Sequence, residues 1–170
     1  MIKPELLLRL SGLAAVLGGL LRVISAANPP LGAQQTEALY DVIDVLLLMG
    51  LIGIYLVRAE FLGFGGLTAF AVALAALSFI GGPDADVFGF STYQEGATVL
   101  ALALAALSIV WLGRKQKPVA PPLFWLGSVV IAGVLQAVGL GDYGFIAAGV
   151  LFGLGCVAAG LDLMRPAPRV

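Results

Sequence analysis

The feature that most constrains this chain is the alternation of long apolar segments with short polar connections. Six apolar segments are each about 20 residues long, the length of helix that crosses a hydrocarbon layer about 30 Å thick. Lipid cannot satisfy the backbone of an open strand, so such spans are helices. The sequence therefore predicts an all-α polytopic membrane protein, a six-transmembrane-helix bundle built as three antiparallel helical hairpins. Its residues 1–170 form a single transmembrane domain with spans at 6–27, 38–57, 62–82, 95–113, 122–141 and 143–164.

Composition supports a membrane environment and excludes several chemistries. Hydrophobic residues make up 61% of the chain, charged residues only 11%, and the mean hydropathy is +1.06. A soluble domain carries about a quarter charged residues, so these few charges cannot cover a water-facing surface. The chain has no histidine and one cysteine. This excludes imidazole-based catalysis, His-ligated metals, an intramolecular disulfide and thiolate clusters, so we expect no catalytic residues, no cofactor and no metal site.

The basic residues predict the orientation. Eight of the nine fall on one side of the predicted bundle, and the opposite connections contain no Lys or Arg. The positive-inside rule assigns the basic side to the cytoplasm. We therefore expect a multi-pass protein of the cell (inner) membrane with both termini cytoplasmic. The eight residues are Lys3, Arg9, Arg58, Arg114, Lys115, Lys117, Arg165 and Arg169.

The larger aromatic residues follow the same division. Trp111 and Trp125 flank the basic fourth connection, and Tyr40, Tyr93 and Tyr143 each begin an even-numbered span on the opposite side. Such rings are typical of the two membrane interfaces. The recurrence of the tyrosines suggests a tandem repeat of one hairpin, although the demands of the bilayer alone would produce the same recurrence.

One polar cluster is predicted inside the membrane. Glu37, Asp41 and Asp44 are spaced i, i+4, i+7, which places their carboxylates on one face of the second span. Arg22 is the one basic residue outside the cytoplasmic set. It lies near the end of the first span, and since consecutive helices are antiparallel we expect it to pair with Asp41 or Asp44 at the same depth.

Two interpretations of this cluster stay open. A buried ion pair would fix the packing of the first two helices, whereas a proton or solute site would face a cavity on the outer side. A snorkelling Arg22 is a third alternative. Gln136, in the fifth span, either lines the same cavity or hydrogen-bonds a neighbouring helix.

A stripe of small residues marks the sixth predicted span. Gly149, Gly153, Cys156 and Gly160 recur at i, i+4, i+7 and i+11, which forms a groove for another backbone. The groove would close the bundle against the first span or form a dimer interface. Cys156 is interpreted as a small packing residue.

These patterns predict a function class only broadly. The first interpretation is a non-enzymatic structural or accessory subunit of a membrane complex. The alternative is a small transporter or channel for a proton, cation or small solute that uses Arg22, Asp41 and Asp44. The expected partners are the lipid bilayer and a membrane protein or second copy of the chain. Nucleic acid is not expected, because no basic patch is interleaved with aromatic residues.

Overall fold

The computed structural model describes residues 4–27, 29–80, 86–87 and 90–165. Helices dominate this part of the chain, and two short strands pair antiparallel with Asp86 opposite Ser91. Of the predicted interfacial or charged residues, Lys3 and Arg169 lie outside the described residues, as does the side chain of Tyr93. The elements are α1 (Pro4–Ala26), α2 (Ala33–Ile80), β1 (Asp86–Val87), β2 (Phe90–Ser91), α3 (Thr92–Gly113), α4 (Ala120–Ala137) and α5 (Gly141–Met164).

The prediction of six separate helices is wrong, because the described residues form five. The predicted second and third spans both belong to α2, which has 48 residues. The expected connection at 58–61 reads Arg-Ala-Glu-Phe and contains no helix breaker. The helix is instead interrupted at Gly63, where φ is 59° and ψ is −158°. This backbone conformation is essentially restricted to glycine.

Helix α2 folds back on itself at Gly63. The rings of Tyr55 and Phe70 stack with their centroids 4.2 Å apart and their planes 7° from parallel. In a straight helix, fifteen residues would separate these positions by about 22 Å along the axis. The element therefore consists of two antiparallel arms, residues 33–62 (the first arm) and residues 64–80 (the second arm).

Three antiparallel pairs of helical segments make up the bundle. The first arm of α2 lies against α1, the second arm lies against α3, and α4 lies against α5. The direction of each pair follows from which residues oppose one another: Ser11 and Gly53; Ala15 and Gly50; Ile80 and Gly96; Val110 and Gly65; Leu135 and Gly144; Leu151 and Gly127. The spacing of these contacts places the turn at Gly63, the α3–α4 connection and the C-terminal end of α5 at one end of the bundle.

The core is apolar, and so is most of the outer surface. Ile43, Leu47, Leu51 and Ile54 are buried at helical spacing along the first arm and meet the buried faces of the other helices. Large apolar side chains also cover the exterior, with Phe145 71% exposed. Five of the described helices are long and apolar enough to cross a membrane.

Both tryptophans lie inside the bundle and not on its outer surface. Trp111 and Trp125 are almost completely buried, and their rings meet edge to face with centroids 6.2 Å apart. This geometry is favourable for aromatic pairs, since the edge of one ring faces the π cloud of the other. The two side chains therefore join α3 to α4. Tyr143, near the start of α5, is exposed at the opposite end of the bundle.

Candidate functional site

The first polar cluster lies where α1, the first arm of α2 and α5 meet. A Cβ atom placed on Gly18 would lie 3.0 Å from the Cβ of Leu46, and Gly50 opposes Ala15. Extending this antiparallel register by one turn brings Arg22 level with Ile43 and Asp44. The predicted equal depth of Arg22 and the second-span carboxylates therefore follows from the observed packing of α1 on α2. We call Arg22, Ser25, Tyr40 and Asp44 the outer cluster.

Arg22 is held mainly by its own helix and by an aromatic ring. Its Nη1 donates a hydrogen bond to Ser25 Oγ at 3.3 Å, and Ser25 Oγ in turn donates to the carbonyl oxygen of Arg22 at 2.9 Å. The guanidinium carbon lies 5.9 Å from the centroid of the Tyr40 ring. A Cβ on Gly149 would lie 3.6 Å from Nη2, so this glycine leaves room for the guanidinium beside α5.

Asp44 approaches this arginine without pairing with it. The side chain is half-buried and lies within electrostatic range of both Arg22 and Asp41. Among the described residues, neither Asp41 nor Asp44 forms an ion pair with Arg22. One carboxylate oxygen of Asp44, Oδ2, is buried and has no hydrogen-bond partner in the described part of the chain. This arrangement is energetically costly, because a buried carboxylate oxygen without a donor loses its hydrogen bonds to water.

The remaining predicted polar residues lie nearer the surface. Glu37 and Asp41 are both exposed on the first arm of α2. Gln136 is exposed as well, and its amide lies against Gly141 at the turn between α4 and α5. No described contact joins Gln136 to Arg22.

A second polar cluster, which the sequence did not reveal, lies at the other end of the bundle. Arg58 is only 5% exposed although the sequence placed it in a loop. Its Nη2 forms an ion pair with Asp162 Oδ2, and its guanidinium carbon lies 4.3 Å from the centroid of the Trp111 ring. We call Arg58, Trp111 and Asp162 the inner cluster. It links the first arm of α2 to α3 and α5 by charge pairing and a cation–π contact.

One sequence signal could have identified the inner cluster. Asp162 is an acidic residue in the last apolar segment, close to the end that is otherwise rich in Lys and Arg. An acid at such a position needs a basic partner, and Arg58 belongs to the same end. The predicted second span ends at residue 57, before this arginine, so the pattern placed Arg58 in a connection and not inside the bundle.

The stripe of small residues lies against α1. A Cβ on Gly153 would lie 2.5 Å from the carbonyl oxygen of Gly19, and a Cβ on Gly160 would lie 2.5 Å from the carbonyl oxygen of Gly12. Gly149 faces Arg22, and Cys156 is buried inside the bundle. Within one chain, α1 therefore occupies the groove that was also considered as a dimer interface.

The outer and inner clusters are the chemical groups from which a function can be argued. Among the described residues, no three His, Cys, Asp or Glu side chains are grouped so that they could hold a metal ion. No protein-family model, curated protein or solved structure matches this chain. Any function must therefore be inferred from the site and from the surface of the bundle.

Proposed function

We propose that this chain is an integral protein of the cell (inner) membrane, with its helices across the bilayer and both termini in the cytoplasm. The apolar exterior supports this proposal: Leu56 is 65% exposed and Phe145 71%. Soluble monomers rarely expose large contiguous apolar patches. The end that carries Arg114, Lys115, Lys117 and Arg165 would face the cytoplasm by the positive-inside rule.

Within that membrane, the protein would act as a non-enzymatic structural or accessory subunit. The observation that carries this proposal is the interlocking of α1, α2 and α5. Glycines bring the backbones of α1 and α5 together at two levels, and the ion pair of Arg58 with Asp162 joins α2 to α5. Close backbone packing resists the rocking of helices that alternating access requires. The expected partner is another membrane protein or a second copy of the chain.

Extraction in mild detergent tests the subunit role. We expect the native protein to migrate in a discrete assembly larger than its own 17.4 kDa. Mass spectrometry of that assembly should identify a second membrane protein, or only this chain, in fixed stoichiometry. A protein that stays monomeric both in mild detergent and in lipid nanodiscs would contradict the subunit role.

One observation favours a second function, a small transporter or channel for a proton, cation or small solute. Among the described residues, the buried oxygen of Asp44 has no hydrogen-bond partner, and the nearby Arg22 forms no ion pair with it. Ionisable residues inside transmembrane segments mark ion or proton pathways in many transporters. Asp41 and Glu37 on the same arm would add negative charge on the outer side and so attract cations.

Flux through reconstituted vesicles distinguishes the two functions. A transporter would dissipate an imposed proton, Na⁺ or K⁺ gradient, and Asp44→Asn would abolish that flux. Asp142→Asn is the matched control, because its carboxylate is exposed at the same end of the bundle and lies outside the outer cluster. The subunit proposal predicts vesicles as tight as protein-free ones for the wild type and both variants. A flux lost only in Asp44→Asn would overturn it.

A further inference from the structure

A compact group of cations lies in the connection between α3 and α4. Arg114, Lys115 and Lys117 are all exposed, and we call residues 114–117 the basic turn. Among the described residues, none of these three cations forms an ion pair. Three positive charges within four residues produce a local potential that attracts phosphate groups.

The basic turn is held in one conformation by Trp111. The indole Nε1 donates to the carbonyl oxygen of Gln116 at 3.2 Å, and the backbone N–H of Gln116 donates to the carbonyl oxygen of Trp111 at 3.3 Å. The N–H of Lys115 donates to Leu112 at 2.9 Å. Since Trp111 is fully buried, this arrangement fixes the backbone from which the cations project. A preorganised site loses less conformational entropy when it binds.

Apolar side chains flank the basic turn on both adjoining helices. Ile109 is 63% exposed near the end of α3, and Leu123 is 55% exposed near the start of α4. A cationic turn beside exposed apolar residues matches a molecule that joins an anionic group to hydrocarbon chains. Free phosphate would use only the cationic part of this surface.

From this juxtaposition we propose that the basic turn binds the phosphate headgroup of an anionic phospholipid, whose acyl chains lie along α3 and α4. This inference rests on the proposal that the helices span a bilayer. Arg114 would contribute a planar donor fork to the phosphate, and its Nη2 already lies 3.6 Å from where a Cβ on Gly63 would be. The bound lipid would therefore lie beside the reversal of α2.

Fluorescence quenching by brominated lipids provides the test. The chain has two tryptophans, and both lie at this end of the bundle, so quenching reports on the lipid next to the basic turn. The full-length protein is reconstituted in vesicles that mix brominated phosphatidylglycerol with phosphatidylcholine, and the relative binding constant is measured. We expect a preference for phosphatidylglycerol of about tenfold, because the three cations of the basic turn attract an anionic headgroup.

A matched pair of double variants tests the location of the site. Arg114→Gln with Lys117→Gln should reduce the preference to within about twofold. Arg9→Gln with Arg165→Gln removes the same charge from exposed positions at the same end and should leave most of the preference intact. An equal loss in both double variants would overturn the proposal, because the preference would then reflect net charge.

Further results distinguish a lipid site from a free-phosphate site and from a protein that has not inserted. If millimolar inorganic phosphate removes the preference, the turn takes free phosphate and the lipid proposal is overturned. If alkaline carbonate strips the protein from the vesicles, the protein has not inserted, and the membrane proposal itself fails. A wild type with insertion but no preference would overturn the lipid site alone.

Discussion

The two charged clusters differ in whether their opposite charges form an ion pair, although each has one buried polar atom without a hydrogen-bond partner among the described residues, Asp44 Oδ2 and Arg58 Nη1. Arg58 and Asp162 form an ion pair in contact with a tryptophan ring, whereas Arg22 and Asp44 lie near each other without pairing. A closed buried pair is costly to break, because the remaining charge loses its compensation. At the residue scale, the ion pair of the inner cluster therefore stabilises the packing of α2 against α5. In the outer cluster, Asp44 Oδ2 has no hydrogen-bond partner among the described residues.

The inner pair makes a direct stability prediction. Asp162→Ala should lower the free energy of unfolding by about 3 kcal/mol, because the buried Arg58 guanidinium would lose its counter-charge. The double variant Arg58→Met with Asp162→Leu should recover much of this loss, since it removes both charges. Thermal or denaturant unfolding in detergent provides the measurement.

The control for this prediction lies on the same helix. Asp142→Ala removes an exposed carboxylate from the first turn of α5 and should cost less than about 1 kcal/mol through the helix dipole. Equal losses for Asp142→Ala and Asp162→Ala would show that the inner pair does not stabilise the bundle.

At the scale of single residues, the sequence predicted proximity better than it predicted partners. The depth of Arg22 followed from counting residues on either side of the first turn, and the structure places it level with Asp44. The contact with Ser25 and the approach to Tyr40 depend on side-chain rotamers, which spacing does not determine. The pair of Arg58 with Asp162 joins residues 104 positions apart along the chain, a distance over which local spacing carries no information.

At the scale of helices, glycine positions determine how closely the elements pack. The carbonyl oxygens of Gly12 and Gly19 approach α5 at the positions where it carries Gly160 and Gly153. The spacing of the small residues predicted the groove on α5. It did not determine whether α1 or a second copy of the chain fills the groove, because a sequence shows which helix face carries small residues and not what packs against that face. The structure shows α1 in this groove.

Substitution of a glycine within the groove tests whether the close contact between α1 and α5 stabilises the protein. Gly153→Ala places a methyl group 2.5 Å from the carbonyl oxygen of Gly19, so α1 and α5 must move apart. We expect a loss of about 1–3 kcal/mol in unfolding free energy. Gly133→Ala is the control, because nothing lies within 4 Å of its new Cβ and helix propensity favours alanine. A Gly153→Ala protein as stable as the control would contradict the close α1–α5 contact.

The reversal of α2 makes a second prediction at this scale. Gly63→Ala forces a Cβ into a backbone conformation with φ 59° and ψ −158°, which should cost about 1–3 kcal/mol. Gly113→Ala, at the end of α3 where no atom lies within 4 Å of the new Cβ, should have little effect. If unfolding measurements find Gly63→Ala neutral, the two arms do not depend on this glycine. The predicted connection at 58–61 ends two residues before Gly63, where the backbone reverses.

At the scale of the whole molecule, composition was the most reliable guide. The low charge content predicted helices with apolar exteriors, and the structure has helices that are apolar on both their inner and outer faces. The tryptophans were harder to place, since a ring near a helix end can face either lipid or a neighbouring helix. Trp111 and Trp125 face each other because α3 and α4 meet at the basic turn.

Cysteine labelling at the two ends of α4 tests most directly whether this bundle spans a membrane with its basic end in the cytoplasm. The native Cys156 is buried and should give little background. Val138→Cys and Lys117→Cys place exposed thiols beyond opposite ends of this 18-residue helix, about 27 Å apart. With an impermeant maleimide on intact cells, the account predicts immediate labelling at position 138 and labelling at position 117 only after the membrane is opened. Immediate labelling at both positions would contradict the span, and the reverse pattern would contradict the orientation.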